Sequence, residues 1–141
     1  MMHQIRTILS FVAIGIVLFS CSQKTITMPD LESLKDSSLK VEQVSAKIDK
    51  VIKLNEPSLI LPLLDSYTWL CFPELHNTEL NEEMLNKKIA IYDNAFRKIT
   101  KVNFPDEKSP MLMMGHVSRW LVENKINTRE EIDKLSDKYF K

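Results

Sequence analysis

Glycine is almost missing from this chain. Two occur in 141 residues, Gly15 and Gly115. Tight hairpin turns need residues that accept positive φ, and glycine is the usual one, with Asn able to serve some turns. Such a chain is a poor candidate for a set of β-hairpins. The apolar positions point the same way, because they recur at steps of three and four rather than two. The expected fold is all-α: a small bundle or orthogonal array of about five helices, preceded by an N-terminal signal segment and a short tether.

The N-terminal segment has a different character. Arg6 is the only charged side chain among residues 1–20. Ile8 to Phe19 is apolar except for Ser10 and Gly15. A run of about a dozen residues is short for a bilayer span, which takes roughly 20, and suits the apolar region of a secretory signal. It closes on Leu18-Phe19-Ser20-Cys21.

That closing run resembles the lipobox of bacterial lipoproteins, in which Leu, a tolerant position, a small residue and Cys follow one another. Leu18, Ser20 and Cys21 match, while Phe19 stands where a small residue is commoner. The resemblance covers residues 1–21 only. It implies cleavage between Ser20 and Cys21 and a diacylglycerol on the Cys21 thiol, with acylation of the new amino terminus. Two or three acyl chains hold a protein firmly at a membrane, at about 0.8 kcal/mol per buried CH₂. Ser22 resembles the residues that permit transfer to an outer membrane. No acid occurs between Cys21 and Asp30, so the acidic surface-export signal is not matched. The expected address is an outer membrane, on its periplasmic side.

The expected organisation is a signal peptide over 1–20, a lipidated tether over 21–29 and a helical domain over 30–141. The 121 residues after Ser20 are enough for one domain with a modest core. They carry one more acidic than basic side chain. No basic excess points to nucleic acid or to an anionic membrane surface.

Five helices are expected in that domain. The first runs from an Asp30 cap to about Asn55, where Glu56-Pro57 ends it. In it Leu34, Val41 and Ile48 recur every seven, offset from Val44 and Val51, with Ser37 as a polar d position. Fewer than three heptads favour a helix packing on its own domain over a coiled coil. The second begins near Ile60 or Leu61, with Pro62 in its first turn. Leu63, Leu64, Tyr67, Leu70 and Cys71 share a face, broadened by Trp69 and Phe72. It should be the central helix, closed by Pro73. The third, about Asn81 to Val102, places Leu85, Ile89, Tyr92, Phe96 and Ile99 inward, with Lys87, Lys88, Asp93, Arg97 and Lys98 mostly opposite. The fourth starts at Ser109-Pro110 and reaches about Asn124, carrying Met111, Met114, Val117, Trp120 and Leu121. Gly115 inside it suggests a close helix crossing. Thr128 and Glu131 form a capping box for the last, with Ile132, Leu135 and Tyr139 inward.

Little in the sequence promises chemistry. Glu74, His76 and His116 are the only candidate metal-ligand set, and they lack the spacing of a metal motif, so no metal or cofactor is expected. Cys71 sits in Trp69-Leu70-Cys71-Phe72, an apolar setting that raises a thiol's pKa and makes it inert. Asp65, in the apolar second helix, should face solvent or pair with Lys or Arg. Glu82-Glu83 and Glu130-Glu131 stand in helix first turns, where the helix dipole favours acids.

The run Met111-Leu112-Met113-Met114 wraps around a helix, so some of it must leave the core face. Methionine surfaces adapt to partners. Met111, Met113, Met114, Arg119 and Trp120 form the candidate partner surface. The bland alternative puts Met111 and Met114 in the core and Met113 outside it. The function expected is a membrane-anchored, non-enzymatic protein-binding lipoprotein, either an accessory subunit of an envelope complex or a toxin-immunity protein. The alternatives are an envelope enzyme using Cys71 or the Glu74/His76 pair, and a small-ligand binder with a pocket lined by Tyr67, Trp69 and Trp120.

Overall fold

A computed structural model of the chain describes residues 31–72, 81–105 and 109–141. The signal segment, Ser20, Cys21, the tether, the Asp30 cap, and Glu74 and His76 lie outside these residues. Five helices and no strand occur among them: α1 Val41–Leu54, α2 Ile60–Cys71, α3 Glu82–Thr100, α4 Pro110–Glu123 and α5 Arg129–Phe140. Short 3₁₀ turns at Ser33–Lys35 and Pro57–Leu59 precede α1 and α2. The all-α expectation holds.

α2 is the central helix. It packs against α3, α4, α5 and both 3₁₀ turns, while α1 packs on α3. Its composition explains the position: Ile60, Leu63, Leu64, Tyr67 and Leu70 are buried, and its polar residues find partners within the interior. The Thr68 hydroxyl donates to the Leu64 carbonyl at 2.8 Å. The Tyr92 hydroxyl donates to Ser66 Oγ at 3.0 Å, and Ser66 donates on to the Leu63 carbonyl at 3.0 Å. Hydroxyls so satisfied avoid the penalty of a buried unpaired polar group. Around them Tyr67 meets Phe96 edge-on, with centroids 5.4 Å apart, and Tyr92 at 5.6 Å. Each such aromatic pair adds about 1 kcal/mol beyond the burial itself.

The first expected helix is broken. The Asp36 carboxylate accepts the Ser38 amide at 2.9 Å and the Ser38 hydroxyl at 2.6 Å. This local turn competes with helical bonding. Lys40 is extended (ψ 158°), and its amide donates to the Gln43 side chain at 2.8 Å, so α1 starts at Val41. Leu34, Val44, Ile48 and Val51 still enter the core. The seven-residue pattern therefore serves the domain's own packing. Asn55 ends α1 in the left-handed region (φ 50°), just ahead of Glu56-Pro57.

Other boundaries agree with the sequence reading. Asn81 caps α3 through its side-chain oxygen, which accepts the Glu83 and Met84 amides at 2.9 and 3.2 Å. Thr128 and Glu131 form the expected capping box, with bonds of 3.3 and 2.8 Å. α4 ends in a Schellman motif: the Ile126 amide reaches the Leu121 carbonyl at 2.9 Å and the Lys125 amide the Val122 carbonyl at 3.1 Å. Lys125 takes the left-handed position (φ 57°) that glycine usually fills.

Two side-chain expectations fail. Lys88, assigned to the polar face of α3, is only 2% exposed. Burial pushes its ammonium below the ordinary lysine range, and the Asp36 carboxylate partly offsets this. Gly115 does not mark a close crossing, because a Cβ built there meets nothing within 4 Å.

Candidate functional site

The fourth and fifth helices each pack on α2 more than on each other. The divergence leaves a half-open cleft of about 560 Å³, within the range of small-molecule sites. Leu64 and Thr68 of α2 form its floor. Met114, Gly115, Ser118, Arg119, Val122 and Glu123 of α4 line one wall. Arg129, Ile132, Asp133, Leu135, Ser136 and Phe140 of α5 line the other.

Helical spacing explains the α4 wall. Met114, Ser118 and Val122, at four-residue steps, make one stripe, and Gly115 and Arg119 lie beside it. Met114 lies against the floor, its sulfur 3.3 Å from the Thr68 hydroxyl oxygen. Gly115 is in the helix interior, where it costs about 1 kcal/mol relative to alanine. Its φ is not positive, and no packed neighbour excludes a side chain. Neither backbone geometry nor packing requires glycine at 115, which lines the cleft with open space where a side chain would stand.

The charges on the rim are uneven in their engagement. Arg129 pairs with Asp133 at 3.6 Å across one turn of α5. Arg119 is exposed and has no ion-pair partner among the described residues. Phe140, 49% exposed, closes one end and meets Phe72 edge-on at 5.1 Å.

The structure divides the five candidate partner-surface residues. Met111 is 61% exposed, and its neighbour Leu112, which the sequence reading passed over, is 51% exposed. Met114 and Arg119 line the cleft. Met113 is 2% exposed and belongs to the core, contrary to its place in the candidate surface. Trp120 is half-buried and packs against the core. The buried stripe of α4 is Met113, Val117 and Leu121, so the bland alternative also had Met111 and Met113 the wrong way round. Four apolar residues in a row leave the facing side undetermined by periodicity alone; packing on α2 and α3 decides it.

Tyr67, Trp69 and Trp120 do not line this cleft. Tyr67 is fully in the core, and Trp69 pads it from a half-buried position. The cleft lies elsewhere, with Phe140 as its aromatic residue.

Cys71 is free and half-buried at the end of α2. Burial pushes its thiol up to about 12, the Asp93 carboxylate adds to the shift, and the Tyr67 hydroxyl opposes it. Burial also raises Tyr67, with further contributions from Cys71 and Asp93. Such a shift disfavours the thiolate, the nucleophilic form, at neutral pH. No group of three metal-ligating side chains occurs among the described residues. His116 stacks on Phe104 with centroids 5.9 Å apart.

Asp65 has a structural role that the sequence only hinted at. Its carboxylate accepts from Lys35 at 3.1 Å, from Lys138 at 3.0 Å, and from the Tyr139 hydroxyl. Burial alone would raise Asp65, but these three bonds together hold it below the usual aspartate value. One side chain of α2 thereby ties down the first 3₁₀ turn and α5, which forms the outer wall of the cleft.

No described helix is long and apolar enough to cross a membrane. No protein-family model, no curated protein and no solved structure matches the chain.

Proposed function

We propose that this chain is a lipoprotein of a bacterial cell envelope, anchored through lipid on Cys21 to the outer membrane on its periplasmic side, and that its helical domain binds a protein partner without catalysing a reaction. The address rests on the lipobox resemblance of Leu18-Phe19-Ser20-Cys21. The binding role rests on one observation, the exposed Met111-Leu112 pair at the start of α4 beside the cleft. Adaptable apolar side chains that leave the core at the edge of a concave surface suit a protein interface.

An enzymatic reading finds less support, since the Cys71 thiol is held far above neutral pH. The partner is either a subunit of an envelope complex or a toxin that this protein neutralises. A toxin gene beside its own would favour the second.

Photo-crosslinking in intact cells tests the reading. A benzophenone side chain at Met111 or Leu112 should give one discrete protein adduct, and one at the exposed Lys50 of α1 should not. Absence of any adduct at Met111 and Leu112 would remove the binding role while leaving the anchor untouched.

A further inference from the structure

The sole glycine of the helical domain lies on the cleft between α4 and α5, with open space where a side chain would stand. Beneath the opening the apolar side chains of Leu64, Met114 and Leu135 stand beside the hydroxyls of Thr68 and Ser136. At the rim stands Arg119, one turn from Gly115 and without an ion-pair partner among the described residues. The other rim guanidinium, Arg129, is engaged by Asp133. The remaining rim carboxylate, Glu123, lies one turn beyond Arg119, makes no ion pair with it, and disfavours a second negative charge on a ligand.

We propose that this cleft binds an anionic amphiphile: an apolar chain lying over Gly115 against Leu64, Met114 and Leu135, with a single acidic head group held by Arg119. Apolar area supplies the affinity, and a guanidinium facing a carboxylate or phosphate supplies a charge-assisted, directional contact. The cleft volume suits one chain of moderate length rather than a folded partner. This site is independent of the protein partner proposed above. The chemistry is shared by a free fatty acid and by an anionic phospholipid, and the two sources are separable.

The test uses the full chain in phosphatidylcholine nanodiscs, with ¹³C-methyl methionine observed by NMR. Dodecanoate should shift the Met114 methyl saturably and leave Met84, on α3, in place. Dodecanol should bind about tenfold more weakly, and Arg119→Gln should weaken dodecanoate by a similar factor. Gly115→Leu fills the cleft, should keep the helical circular dichroism, and should abolish the Met114 response. A Met114 shift produced instead by phosphatidylglycerol in the disc, and lost in Gly115→Leu, supports the site with phospholipid as its ligand. No saturable Met114 shift with either probe overturns the proposal, as does a response unchanged in Gly115→Leu. Equal binding of dodecanol and dodecanoate overturns the role given to Arg119.

Discussion

One of the two enzymatic readings turns on Cys71, whose setting disfavours the thiolate. With the thiol pushed up to about 12, the thiolate present near pH 7.5 is less than roughly one part in 10⁴. Ellman's reagent should leave the folded protein unmodified over hours and label one thiol promptly in 6 M guanidinium when Cys21 is lipidated. Rapid labelling of the folded chain would restore the nucleophile. Lys125 is a second residue whose surroundings predict a measurable effect. Holding a side chain at φ 57° costs roughly 1 kcal/mol that glycine does not pay, so Lys125→Gly should raise the melting temperature by about 4 °C. A lower melting temperature would mean that the Schellman motif is not what limits the end of α4. The raised thiol of Cys71 was legible in the sequence, because its neighbours Trp69, Leu70 and Phe72 are apolar. The strained lysine was not. Nothing in Asn124-Lys125-Ile126 signals a left-handed residue, and the expected helix end at Asn124 came from the pattern alone.

At the scale of the elements, α5 is the one held most lightly. It contains no fully buried residue, and half-buried Ile132, Leu135 and Tyr139 face α2. Asp65 supplies much of the rest of its attachment. Amides of α5 should therefore exchange with solvent before those of α2 and α3; slower exchange in α5 than in α2 would contradict this. Asp65→Asn should cost about 2 kcal/mol at pH 7, because it leaves a partly buried ion-pair hub incomplete. The pH dependence has a definite sign. The carboxyl is held below its ordinary value in the folded state, so its stabilisation is present in full above about pH 4, the range where the unfolded chain titrates. It is lost as pH falls through the lower folded value. The stability gap between the native protein and Asp65→Asn, measured by urea unfolding, should be constant from pH 5 to 7 and narrow below pH 4. A gap that widened in acid would assign the wrong role to Asp65. The sequence marked Asp65 as unusual, since a lone acid interrupts an apolar helix. Its partners were beyond reach, for Lys138 and Tyr139 lie more than seventy residues along the chain.

For the whole molecule, the helix count and the central place of α2 follow from apolar spacing, prolines and caps. Local chemistry settles those features, and local chemistry is what a sequence displays. The interruption at Asp36 to Lys40 escaped because Asp36 and Ser38 also read well as the solvent face of a longer helix. The cleft escaped for a different reason: it exists only because α4 and α5 diverge over α2, and Gly115 reads equally well as a crossing point or an opening. The facing side of Met111 to Met114 likewise depends on neighbours far away in sequence. The claim that joins these scales is that the domain acts at a membrane surface while tethered through Cys21. Intact mass spectrometry of the protein extracted from membranes tests that claim most directly. The expected result is a chain beginning at Cys21, heavier than its sequence by two or three acyl chains, and a Cys21→Ser protein that keeps residues 1–20. A membrane-extracted chain that retains Met1 and carries no added lipid would contradict it.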